Sequence, residues 1–131
     1  MKKLLYLGII LMLASCGSNG TVNYNGREVS TVKVGNLEVM TEDLGHMNWD
    51  DATKACADLG EGWRLPTKDE LNVLYENKDE IGGFANSDYW SSTEVDNVNA
   101  WSQSFGDGFQ SNYGKVNYGA TGGAVRSVRA F

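Results

Sequence analysis

The single histidine of this 131-residue chain, His46, stands close to Asp43, Asp50 and Asp51, a spacing that could gather a divalent cation or place a general base beside a carboxylate. Asp50 and Asp51, however, fall in the first turn of a helix that Asn48 can cap, where acids oppose the positive end of the backbone dipole. That placement accounts for them without a ligand. Cys56 is the candidate nucleophile, but it follows Trp49 and Ala52 along the apolar face of the same helix, where a thiol packs as a small hydrophobe. No dyad forms around either residue. The sequence therefore predicts no catalytic residue, no metal and no cofactor.

Recognition chemistry is written further along. Between Ser102 and Tyr118 the chain interleaves aromatics with Ser, Asn and Gly, the composition of a paratope: Tyr gives rigid amphipathic area and the small polar residues give adaptable hydrogen bonds. The predicted contact groups are Ser102, Ser104, Asp107, Phe109, Ser111, Asn112, Tyr113, Asn117 and Tyr118, facing a protein or glycan ligand. Core padding is the competing role for the aromatic members. Strand alternation places Trp101, Gln103 and Phe105 inward and Ser102 and Ser104 outward, so that Trp101 and Phe105, with Trp90, form the frame.

The first residues are an address. Met1-Lys2-Lys3 is a positive head, Leu4 to Leu13 an apolar run, and Leu13-Ala14-Ser15-Cys16 resembles a bacterial lipobox, which predicts removal of residues 1–15 and lipid on Cys16. The run is far shorter than the ~20 apolar residues a spanning helix needs. A lipid-bearing Cys16 leaves Cys56 without a partner, so no disulfide framework is expected. Residues 16–30, rich in Ser, Asn and Gly, read as a flexible tether and residues 31–131 as the domain. The expected location is the bacterial outer membrane, displayed at the cell surface or facing the periplasm.

The elements that must carry these groups have local signals. Val32 and Val34, then Leu37 and Val39, flank Gly35-Asn36 as a hairpin. Trp49, Ala52, Cys56 and Leu59 gather on one helix face that Gly60 terminates. Thr67 to Glu70 is a capping box ahead of Leu71, Leu74 and Tyr75, and short strands follow Phe84, the last marked by Val125, Val128 and Phe131. The fold class predicted is α+β: two helices packed on a small twisted antiparallel sheet, with long C-terminal loops. With 11 Lys and Arg against 17 Asp and Glu, the net charge of -6 excludes a nucleic-acid backbone as the main partner. Aromatics at 11% exclude a disordered tail.

Gly62-Trp63-Arg64-Leu65-Pro66-Thr67 with Glu70-Leu71, then Tyr89-Trp90-Ser91-Ser92-Thr93, Ala100-Trp101, Phe105, Lys115 and Val125-Arg126-Ser127-Val128-Arg129 form an ordered set of motifs. From about Leu37 onward it resembles bacterial surface domains with a C-type-lectin-like fold: the Fibrobacter succinogenes major paralogous domain and the C-terminal domain of Legionella collagen-like adhesins. The frame of Ala100-Trp101, Phe105 and Gly108, then Lys115 and the closing Val-Arg-x-Val-Arg-Ala-Phe, also resembles the variable proteins of diversity-generating retroelements, from whose Asn-rich pattern Gln110 and Val116 depart. The resemblance implies a displayed, ligand-binding domain without catalysis, with a structural subunit of a surface or fimbrial assembly as the alternative. The paired cysteines of formylglycine-generating enzymes, which share a related fold, are absent, as are the Pro-containing sugar-reading tripeptides of calcium-dependent lectins. Arg64 is expected to pair with a carboxylate. Arg126 and Arg129 fit either an acidic glycan or acids of the helical half.

Overall fold

The computed structural model describes residues 16–116 and 122–131. The elements run β1 (Cys16–Tyr24), β2 (Arg27–Val34), β3 (Leu37–Met40), β4 (Gly45–Met47), α1 (Trp49–Ala57), α2 (Lys68–Glu76), α3 (Lys78–Ile81), β5 (Asp88–Glu94), β6 (Asn99–Ser104), β7 (Gln110–Gly114), β8 (Gly123–Val125) and β9 (Val128–Ala130). Among the described residues no helix is long and apolar enough to cross a membrane.

Turn chemistry opens the first sheet. Asn25 and Gly26 take φ of 53° and 83°, the two left-handed positions of a two-residue hairpin turn, and fold β1 back on β2. Residues 16–30 are therefore strand and turn, where the sequence suggested a flexible tether. Val22 and Val29 are buried, and their alternation is hidden in the sequence by the Ser, Asn and Gly around them. Gly35-Asn36 joins β2 to β3 as expected, with Val34 opposite Leu37, and β9 closes a sheet of order β1-β2-β3-β9.

The second sheet has the order β4-β8-β5-β6-β7, so one small antiparallel sheet becomes two, with a parallel pairing where Tyr89 of β5 meets Ala124 of β8. Both predicted helices form on their caps. Asn48 Oδ1 accepts from Asp51 N (2.9 Å) at α1, and Thr67 and Glu70 exchange side-chain and backbone bonds at α2. Val125 and Val128, read as one last strand, belong to different sheets, with Arg126-Ser127 buried between them.

Two cores result. Ala52 and Cys56 of α1 pack with Trp63, Trp90 and Ala100, whereas Leu71 and Leu74 of α2 pack with Tyr89, Phe105 and Val128. Tyr89 and Trp90 are neighbours on one strand and so point to opposite faces, which puts the five-stranded sheet between the two helices. The expected faces hold for Gln103 and Phe105, which are buried, and fail for Ser102 and Trp101. Ser102 is 1% exposed and Gln103 fully buried, while Trp101 is only half-buried, because both faces of β6 are covered.

Candidate functional site

The β6–β7 turn holds one aromatic ring in solvent. Ser104 N donates to Phe109 O (2.9 Å) and Gly108 N to Ser104 O (2.8 Å), which closes the loop. Inside it Ser104 Oγ accepts from Gly106 N (3.1 Å), and Asp107 Oδ1 accepts from Phe109 N (3.0 Å), an Asx turn that fixes the Phe109 backbone. Gly108 has φ of 84°, and a Cβ there would sit 2.7 Å from the Tyr75 ring. Phe105 turns inward against Tyr75, Phe84 and Tyr89, while Phe109 is 69% exposed.

Amides pin this turn to α2. Gln103 Nε2 donates to Asn72 Oδ1 (2.9 Å) and Gly108 O (3.0 Å); Gln110 Nε2 donates to Lys68 O (3.0 Å) and Gln103 Oε1 (3.2 Å). Strand alternation placed Gln103 inward but foresaw no bond between Gln103, Gln110 and α2. The signal was a glutamine at an inward position of β6, since a buried amide must find partners.

β7 is an edge strand, and its side chains alternate between two environments. Asn112 is exposed opposite Trp101, on the same face. Ser111 and Tyr113 point the other way, and Tyr113 packs against the α1-side core. Ser102 Oγ donates to Ser111 O (3.3 Å) under cover, so it is removed from the contact set. Asp107, Phe109 and Asn112 are exposed, Ser104, Ser111 and Tyr113 half-buried, and Asn117 and Tyr118 lie outside the described residues. The expected sharing of one exposed face by Tyr113 and Asn112 fails for want of matching parity on the strand.

Surface groups outside the predicted set join it. Trp101 carries the Lys68 ammonium 3.8 Å from its ring centroid, on the face of Asn112. At the other end of the sheet Val95, Val98 and Val116 are exposed, and Lys115 N donates to Val98 O (2.8 Å).

The charged and nucleophilic groups are engaged elsewhere. Arg126 is fully buried: Nε donates to Asp43 Oδ1 (2.9 Å), Nη1 donates to Met40 O and Gly82 O (both 3.0 Å), and the guanidinium stacks 3.8 Å from the Phe84 centroid. Burial lowers its pKa against the pull of Asp43. Arg129 Nη2 donates to Glu38 Oε1 (2.7 Å) and Arg64 Nη1 to Glu70 Oε1 (2.6 Å). Both C-terminal arginines are thus paired with acids of the chain. His46 Nε2 lies 3.2 Å from Ser87 Oγ on the surface. Burial pushes the Cys56 thiol up to about 11, against a bond with Ser127, so it is not a thiolate at neutral pH. Among the described residues no group of His, Cys, Asp or Glu gathers as a metal site.

The described residues form two sheets, two side-chain-capped helices and a pinned turn that leaves an aromatic exposed. A family model for the Lcl C-terminal domain matches residues 20–129, and the chain belongs to that family, which takes in the C-terminal, C-type-lectin-like domain of the Legionella collagen-like protein. It is an adhesin-type family, and a small β-rich domain with two sheets and few helices is consistent with it. The match begins within β1, ahead of the predicted domain start at residue 31. No curated protein matches the chain.

Proposed function

We propose that this chain is a non-enzymatic ligand-binding module with the C-type-lectin-like fold, held to the bacterial outer membrane by lipid on Cys16 and displayed at the cell surface. Its ligand is a protein or glycan, met by Phe109 and Asp107 at the tip of the β6–β7 turn, with Asn112, Trp101 and Lys68 as further contact groups along the adjoining strands. The observation that carries this is Phe109, an aromatic fixed in solvent by the Asp107 turn and the Gln103–Gln110 amides. A free energy of folding gains nothing from holding that ring out of the core, whereas rigid exposed aromatics are the usual anchors of binding surfaces.

The test is binding of the purified chain to arrays of printed glycans and immobilised extracellular-matrix proteins, beside a Phe109→Ser/Asn112→Ala variant of equal melting temperature. Saturable binding by the parent and a loss of tenfold or more in the variant is the expected result. Equal binding by both would overturn the assigned surface. Mass spectrometry of the membrane-extracted protein should find Cys16 acylated; an unmodified Cys16 would overturn the anchor.

A further inference from the structure

β1 pairs with β2 from its first residue, Cys16 opposite Val34 and Gly17 opposite Lys33. Val34 stands opposite Leu37, and Leu37 opposite Ala130. Cys16, Val34, Leu37 and Ala130 thus form one row across the end of the four-stranded sheet, about 14 Å wide at the usual strand spacing. Gly35-Asn36 caps this row, and Phe131 N donates to Asn36 O (3.3 Å). The Phe131 ring is 60% exposed, with Lys33 Nζ 4.1 Å from its centroid. Nearby, Arg129 and Glu38 are paired with one another, and exposed Glu61 precedes Gly62, which lies against the Arg129 stem.

An exposed ring beside a lysine is suited to the boundary between headgroups and acyl chains: the ring takes the apolar side and the ammonium the phosphates. The lipid site predicted at Cys16 stands at the same end of the same sheet, with no spacer between it and the first strand. We propose, resting on the lipoprotein reading above, that this end of the sheet docks on the bilayer holding the Cys16 lipid, with Phe131 seated at the interface. β1 then rises from the membrane and carries the Asn25-Gly26 turn about 30 Å away from it. The domain sits on its membrane; it does not swing on a tether.

The test uses the chain from Cys16 onward, which contains every described element, coupled at Cys16 to one palmitoyl-maleimide chain. Cys56 is fully buried and is spared. A single acyl chain binds membranes marginally, so an additional seated aromatic is measurable. On phosphatidylcholine–phosphatidylglycerol vesicles, Phe131→Ser should lower partitioning about tenfold in flotation, and Lys33→Glu should lower it further, while Phe109→Ser leaves it unchanged. Amide exchange at residues 35–37 should slow on the vesicles. Partitioning that ignores Phe131 and Lys33, with unchanged exchange, would overturn the proposal. Because the lipid is added chemically, this outcome is distinct from finding Cys16 unmodified in cells, which would remove the anchor reading itself.

Discussion

Phe105 and Trp101 occupy the same strand region and were expected to share one role, but they differ in what surrounds them. Phe105, 3% exposed, touches three aromatic rings, and Phe105→Ala should cost ~3–5 kcal/mol in urea denaturation through lost burial and a cavity. Trp101→Ala should cost ~1–2 kcal/mol, because part of the ring already meets water and one face meets the Lys68 ammonium. Equal costs would mean that Trp101 belongs to the core. Strand alternation could not tell these residues apart, since it reports inside and outside only where one face of a sheet is wet, and β6 is covered on both. Arg64 was legible because its partner, Glu70, lies one turn into the adjacent helix. Its guanidinium holds the Glu70 carboxyl below the ordinary 4.5, helped by Thr67 and opposed by burial. A carboxylate depressed in the folded state contributes stability present above about pH 4.5 and lost as pH falls through its folded-state value. The melting temperature should therefore fall between about pH 5 and pH 3, and Glu70→Gln should be less stable at neutral pH and less steep across that window.

The helices were readable element by element because their caps are local: Asn48 with Asp51, and Thr67 with Glu70. The Gly35-Asn36 hairpin was readable for the same reason. The β1–β2 hairpin was missed, although Asn25-Gly26 was visible as a turn pair, because Val22 and Val29 are isolated among residues typical of linkers. A turn signal is worth more than the composition around it when an apolar residue stands at the same distance on either side. The β6–β7 turn depends in the same way on one backbone conformation. Gly108→Ala would force a side chain into φ of 84° and against Tyr75, whose ring is braced by Phe105 at 5.4 Å. A loss of ~1–3 kcal/mol is expected, with exchange of the Phe109 amide accelerated as the Asx turn opens. An unchanged melt with a protected Phe109 amide would show that the turn is not constrained as described.

Across the whole molecule, the pairings of β3 with β9 and of β5 with β8 join residues far apart in the chain, and no local pattern announces them. The number of sheets was therefore beyond the sequence, although two of the motifs that bear the family resemblance, Tyr89-Trp90-Ser91-Ser92-Thr93 and Val125-Arg126-Ser127-Val128-Arg129, lie on or between these strands. Long range also settled the two C-terminal arginines, whose partners, Asp43 and Glu38, lie in the first half of the chain. What emerges is a scaffold closed by partly buried ion pairs, aromatic clusters and an amide network, with the Phe109 ring and its neighbours left outside at the β6–β7 turn. The claim at the centre is that Phe109 and Asn112 are free of the fold and available to a ligand. It is tested most directly by displaying the chain on yeast with every amino acid at positions 103, 105, 109 and 112, and measuring protease resistance at each. Nearly all substitutions at Phe109 and Asn112 should stay resistant, within ~0.5 kcal/mol of the parent, while polar or small residues at Phe105 and apolar ones at Gln103 are cleaved. Losses at Phe109 or Asn112 as deep as those at Phe105 would contradict the account.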